Sequence, residues 1–193
     1  MLQADPIADR QEIILRAAFQ AFATYGYRRT SMDDIAQGCG ISRTALYLHY
    51  RNKEDIFRTL AMHHFEEAAL NMKTELNRAG QSLKQALYAC FVAKDGKFMG
   101  VVLTTPHGTE LLDAGFSISG DLAMAGEAAM TFILAGWLQE KGLPPDLGPA
   151  SDFAETVLAA LKGLKSSAKS LEALRAGEDR LAGLIAKALT IRS

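Results

Sequence analysis

Ser31-Met32-Asp33-Asp34-Ile35-Ala36-Gln37-Gly38-Cys39-Gly40-Ile41-Ser42-Arg43-Thr44-Ala45-Leu46-Tyr47-Leu48-His49-Tyr50 reads as two short helices joined by a tight glycine turn. Ser31 is a natural cap for the first helix, and Asp34, three residues on, completes a capping box. Met32, Ile35, Ala36 and Cys39 keep one side apolar, while Gly38 and Gly40 supply the backbone freedom that a helix end needs. Ile41 plugs the turn, Ser42 caps the second helix, and Asn52 with Asp55 opens a third. A helix–turn–helix of this size is a device for laying one helix in the major groove of DNA.

At about 100° per residue, Arg43, Thr44, Tyr47 and Leu48 share one face of the helix that Ser42 opens. Leu46 and Tyr50 point the other way, toward the preceding helices. The outer face suits DNA. Arg43 has the reach for guanine O6 and N7, Thr44 offers a hydroxyl and a methyl, and Leu48 fits a thymine methyl. Tyr47 stacks or donates its hydroxyl to a phosphate. From these residues alone, a solvated face with one partly exposed tyrosine stays open as the plainer reading. Charge favours DNA: Arg28, Arg29, Arg43, Arg51 and Lys53 face only Asp33 and Asp34, a local balance of +3 in a chain whose net charge is −1. A local cationic patch is all that phosphate neutralisation requires. Lys53 also sits at the positive start of the third helix.

The segment Gly26-Tyr27-Arg28-Arg29-Thr30-Ser31-Met32-Asp33-Asp34-Ile35-Ala36, then Gly40 to Tyr50 and Asn52-Lys53-Glu54, closely resembles the TetR family of bacterial repressors. The likeness spans roughly residues 10–60; beyond it only length and helical character agree. The resemblance implies that Thr30, Tyr47, His49 and Lys53 grip the DNA backbone and that Arg43 and Thr44 lie near base edges. With the caps Ser31 and Ser42 and the outward Leu48, these are the candidate contacts to double-stranded operator DNA. Cys39 departs from the family, which more often has alanine there.

Elsewhere the periodicity is helical throughout, with no strand-like alternation, and predicts an all-α fold. Ile13, Ile14, Ala17, Ala18, Ala21, Phe22 and Tyr25 make an amphipathic helix that Gly26 ends. A long helix from Asn52 to about Arg78 would connect a DNA-binding domain over 1–58 to a larger helical domain over 59–193. Lys94-Asp95-Gly96-Lys97 reads as a turn, Pro106 and Gly108 as a break, and Gly120 to Lys141 as a very apolar helix. Two final helices are expected over 151–167 and 170–190.

Hydrophobic residues make up 49% of the 193, ordinary for a folded chain with a sizeable core. Cys39 and Cys90 make no disulfide scaffold, so a reducing cytoplasm is the expected setting. The N-terminus, with Asp5 and Asp9, lacks an apolar signal core, and Met130 to Leu138, the most apolar run, is too short to span a bilayer. No membrane partner is expected.

Catalysis finds little support. Gly115-Phe116-Ser117-Ile118-Ser119 lacks the last glycine of a nucleophile elbow, and no strand precedes it. His63-His64-Phe65-Glu66-Glu67 runs opposite to the Glu-x-x-His order of di-iron bundles. No phosphate loop or paired-cysteine zinc pattern appears, so no cofactor or metal is expected.

The last two helices carry broad apolar faces with small residues (Ala154, Ala160, Gly163, Ala182, Gly183, Ala186) that permit close approach. Packing within one subunit is one reading of them. The resemblance implies a homodimer through these helices, and two-fold DNA half-sites call for a two-fold protein. It also implies an effector pocket, for which the soft side chains Met62, Phe65, Met72, Tyr88, Phe91, Phe98, Met124, Phe132 and Trp137 are the candidates for a small hydrophobic ligand. Release from DNA would be a population shift, and a 100-fold loss of affinity needs roughly 2.7 kcal/mol of coupling. Two other readings stay open at this point. One is a helical interaction protein whose helix–turn–helix is structural, and the other is an activator in place of a repressor.

Overall fold

Eight α-helices and no strand occur among residues 6–190, the part of the chain that the computed structural model describes. The reading of the first residues, Asp5 included, lies outside that range. Helix α1 spans Pro6–Tyr25, α2 Met32–Gly38, α3 Arg43–Tyr47 and α4 Lys53–Leu76. Helix α5 spans Leu83–Thr104, α6 Gly108–Glu140, α7 Ala150–Ser167 and α8 Leu171–Thr190. A short 3-10 turn, Pro145–Leu147, fills the proline-rich connection before α7.

Two helices depart from the expected pattern. The charged run at 94–97 is no open turn, because Lys94 and Asp95 are buried in α5 and the break is confined to Gly96, at φ 53° and ψ −153°. Only glycine enters that region without strain, so one residue redirects the helix. Helix α6 begins at Gly108, as the Pro106 break requires, and deviates once more at Ser119, at φ −130° and ψ 27°.

The chain divides into two units, and the boundary is not the single break expected at residue 58. Unit 1 runs to His64 and takes in Val101–Ala123; unit 2 consists of Phe65–Gly100 and the residues from Met124 onward. The extra segment of unit 1 is held by polar contacts that no local pattern foretells. Arg58 reaches Asp121 with both guanidinium ends, at 2.9 and 2.7 Å, and donates to the Ile118 carbonyl at 2.6 Å. The Arg58 side chain holds the Asp121 carboxyl down to about 2, so this exposed pair stays charged at any ordinary pH.

Unit 1 buries Ile14, Ala18 and Phe22 from α1, Ile35 from α2, Leu46 from α3 and Ile56 from α4. Phe22, Tyr27 and Phe57 form a ring trio with centroids 5.1 to 5.7 Å apart. Unit 2 has a separate core in which Met72, Leu87, Cys90, Phe91, Leu134, Leu138, Leu161 and Ile185 are buried together. Trp137 joins it and donates its indole N–H to the Leu76 carbonyl at 2.9 Å, satisfying both buried groups.

Within α6, Ser117–Glu140 has a mean hydropathy of 1.3 and is long and apolar enough to cross a membrane by length and composition. The apolar stretch is thus longer than Met130 to Leu138 suggests. Its Met130, Leu134, Trp137 and Leu138 face the unit 2 core.

Candidate nucleic-acid interface

Each short helix of unit 1 is fastened at its start by a side chain, and these caps aim α3. The Ser31 hydroxyl accepts from the Asp34 N–H at 3.2 Å, and the Asp34 carboxylate accepts from the Ser31 N–H at 2.8 Å. The same hydroxyl donates to that carboxylate at 2.7 Å, and its bonds hold Asp34 below its ordinary value. Ser42 Oγ accepts from the Ala45 N–H at 3.1 Å, and Asn52 Oδ1 from the Asp55 N–H at 2.8 Å. A helix of 5 residues, as α3 is, has too few internal bonds to stand alone. It depends on its cap and on Leu46, which is fully buried.

The face opposite Leu46 lies open. Arg43 and Thr44 are exposed, Tyr47 is 42% exposed and Leu48 83%, while Tyr50 is buried. An apolar side chain as bare as Leu48, at the end of a capped helix, has nothing within the described residues to cover it. Arg43 is not idle in the free protein. Its guanidinium donates to Asp33 Oδ2 at 2.8 Å and to the Tyr47 hydroxyl at 3.3 Å, and lies 5.5 Å from the Tyr47 ring centre. The Tyr47 hydroxyl and then Asp33 raise Arg43 above its ordinary value. The pair is exposed, so the tie is weak and phosphate or a base edge can replace it. Ser31 and Ser42 are exposed at the helix starts, and His49 is half-buried beside Tyr50 in sequence.

Two of the expected backbone contacts are engaged within the free protein. Thr30 is 1% exposed, and its hydroxyl donates inward to the Gly26 carbonyl at 2.7 Å, with the Ala21 carbonyl at 3.3 Å. It shapes the turn before α2 and has no free face for phosphate. Lys53 is likewise turned inward. Its ammonium donates to the carbonyls of Tyr27 at 2.8 Å, Arg28 at 3.0 Å and Thr30 at 2.9 Å, which occupies all the N–H groups an ammonium owns. Burial lowers Lys53 from its ordinary value, and the Glu110 carboxylate offsets part of that. The physical reason is the same in both cases: the loop over 26–30 presents carbonyls that need donors.

Glu110, in the first turn of α6, is a positioning residue that sequence reading missed. Its carboxylate accepts from the Arg28 N–H at 2.7 Å, across 82 residues of chain. Gly26 makes room for it: at φ +81°, a Cβ there would lie 2.3 Å from Glu110 Oε2. The loop before the reading helices is thus clamped by Lys53 on one side and Glu110 on the other. Replacing Lys53 with methionine keeps the stem and deletes the donors. We expect K53M to lower stability by roughly 1–2 kcal/mol, read by chemical denaturation. Stability equal to that of the wild type would mean the clamp contributes nothing.

The effector candidates lie in several places. Met72, Phe91 and Trp137 are core residues of unit 2, and Phe65 and Tyr88 are partly buried against that core. Met124 is 75% exposed and Phe132 81%, on the outer side of α6. Met62 is 39% exposed and belongs to unit 1, and Phe98 is half-buried in α5. A periodic stripe of large side chains does not distinguish a core from an outer face when both sides of a helix carry apolar residues, as α6 does.

Residues 14–60 match the model of the bacterial regulatory proteins of the tetR family. The chain is 31% identical over 80 residues to an HTH-type transcriptional regulator, YerO of Bacillus subtilis, a match covering 41% of this chain and 28% of that protein. It is 28% identical over 158 residues to the HTH-type transcriptional regulator EthR of Mycolicibacterium smegmatis, covering 77% of this chain and 70% of that one. The matches span about a quarter of the length of the first curated relatives. Among solved structures, a transcriptional regulator from Rhodococcus shares the fold with a TM-score of 0.71 at 19% identity, over 95% of this chain and 99% of that one.

Proposed function

We propose that the chain, whose residues 14–60 match the tetR family of bacterial regulatory proteins, is a transcriptional regulator, a repressor, that binds a palindromic operator as a dimer. The observation that carries this reading is the outward stripe Arg43, Thr44, Tyr47 and Leu48 on a capped helix whose other side, Leu46 and Tyr50, is buried. Docked in a major groove, that stripe meets base edges, and the +3 balance around it meets phosphate. A helical interaction protein would have no use for so short a helix with a guanidinium held ready at its start.

Two copies are needed to place α3 in successive grooves about 34–36 Å apart. Helices α7 and α8 are the elements we assign to the dimer. They pack against each other, and their outer sides carry Ala159, Ala160 and Gly163 with Leu184, 65% exposed. Small residues beside one large apolar side chain suit close helix approach between copies. A small apolar effector would enter unit 2 at the half-buried Phe65 and Tyr88 and release the dimer from DNA, in the cytoplasm.

Selection of genomic fragments by the purified chain tests the reading. Enrichment of a few inverted repeats, with binding that falls steeply as salt rises, is the expected outcome. Recovery of no fragment above random DNA, or equal recovery by the double variant R43A/Y47A, would overturn it.

A further inference from the structure

Unit 2 buries a group of charges that DNA reading does not use. Asp95, just before the Gly96 break in α5, is 1% exposed, and Glu178 of α8 is fully buried. One nitrogen of Arg175 faces both: Nη1 donates to Glu178 Oε2 at 2.7 Å and lies 3.6 Å from Asp95 Oδ2. Lys165 of α7 contacts Asp95 Oδ1. That leaves Asp95 Oδ2 and Glu178 Oε1 as buried oxygens with no donor among the described residues. Arg175 Nη1, which contacts both, holds the two carboxylates side by side. Two ionised carboxylates so placed repel, and neither lone oxygen is satisfied. A single proton between them removes both faults.

We propose that Glu178 carries a proton in the folded protein and donates it to Asp95, tying α8 to the break in α5, and that loss of this proton loosens the tie. Asp95 precedes the one non-helical residue of α5, so the two like charges left behind would act where the helix is already broken. The device is a pH-sensitive fastening between α5 and the α7–α8 pair.

Burial first, then the neighbouring Asp95 carboxylate, pushes Glu178 up to about 7 against the pull of Arg175. In the unfolded chain it titrates near 4.5. The folded protein therefore holds the extra proton between those values. The stabilisation is complete below about 4.5 and is lost as pH rises to about 7. The other groups facing the pair are Lys94 of α5, Lys165 of α7, Arg175 of α8 and, through Lys94, Glu127 of α6. Burial, helped by Lys165, brings Lys94 down to about 8, and this acts in a separate window: stability rises with pH between about 8 and 10.5.

Denaturation of the full chain and of E178Q from pH 5 to pH 8 tests the proposal. The amide keeps the shape and donates at every pH. From pH 5 to pH 7.5 the wild type should lose at least roughly tenfold in its folding equilibrium constant relative to E178Q. Parallel curves for the two proteins, or an E178Q less stable at pH 8, would overturn it. Should E178Q fail to fold, carbon-13 titration of the wild-type Glu178 carboxyl decides: a midpoint near 7 that falls in D95N supports the tie, and a midpoint at its ordinary value sinks it.

Discussion

Replacing Arg43 with alanine is expected to weaken operator binding roughly 10- to 100-fold while leaving helicity and melting unchanged. The two halves of this expectation have separate causes. Arg43 is exposed, with 58% of its side chain open, and its partners Asp33 and Tyr47 are exposed as well. An ion pair in that setting adds little to folding, so its removal passes unnoticed by the fold. On DNA the same guanidinium offers two parallel donors to a guanine edge, and alanine leaves those acceptors unmet. Anisotropy titration against the recovered operator at fixed salt measures the change. The companion variant D33N cuts the tether at 2.8 Å and removes a negative charge next to the phosphates, so it should bind severalfold more tightly. Unchanged affinity in R43A would show that α3 does not read bases.

Phe22→Ala is expected to cost roughly 3–5 kcal/mol, the largest stability effect of any single change considered. Phe22 is fully buried in α1, and its ring centre lies 5.4 Å from Tyr27 and 5.7 Å from Phe57. Alanine opens a cavity that three elements share, since Tyr27 belongs to the clamped loop and Phe57 to α4. Total stabilities of single domains are only about 5–15 kcal/mol, so unit 1 would be partly unfolded at growth temperature. DNA binding should then be lost although Phe22 touches no DNA. Denaturation midpoints measure the effect, and a loss under about 1 kcal/mol would show that the ring trio relaxes around the gap.

The contrast between these two residues shows what could be read from order alone. The caps at Ser31, Ser42 and Asn52 act on backbone three residues away, so spacing suffices to find them. The same holds for the Arg43, Thr44, Tyr47 and Leu48 stripe, because a helical turn repeats whatever the surroundings. Lys53 and Thr30 lie in the same stretch, yet their partners in the fold cannot be read from it. Lys53 meets carbonyls 23 to 26 residues back, and no local pattern says which way a flexible lysine will turn. The turn at 94–97 failed for a related reason. Three charged residues around a glycine look solvated until Lys165 and Arg175, from α7 and α8, arrive to pair with Asp95.

The order of residues on its own determined the helices, their ends and the face that α3 turns outward, since each depends on groups within about one or two helical turns. Only the tertiary structure decided that residues 101–123 join the N-terminal unit, that Glu110 and Lys53 clamp the loop before α2, and that Met124 and Phe132 lie outside the core. The difference is one of range. Hydrogen bonds along a helix close over three or four residues, whereas burial and ion pairing depend on which distant segments the chain brings together.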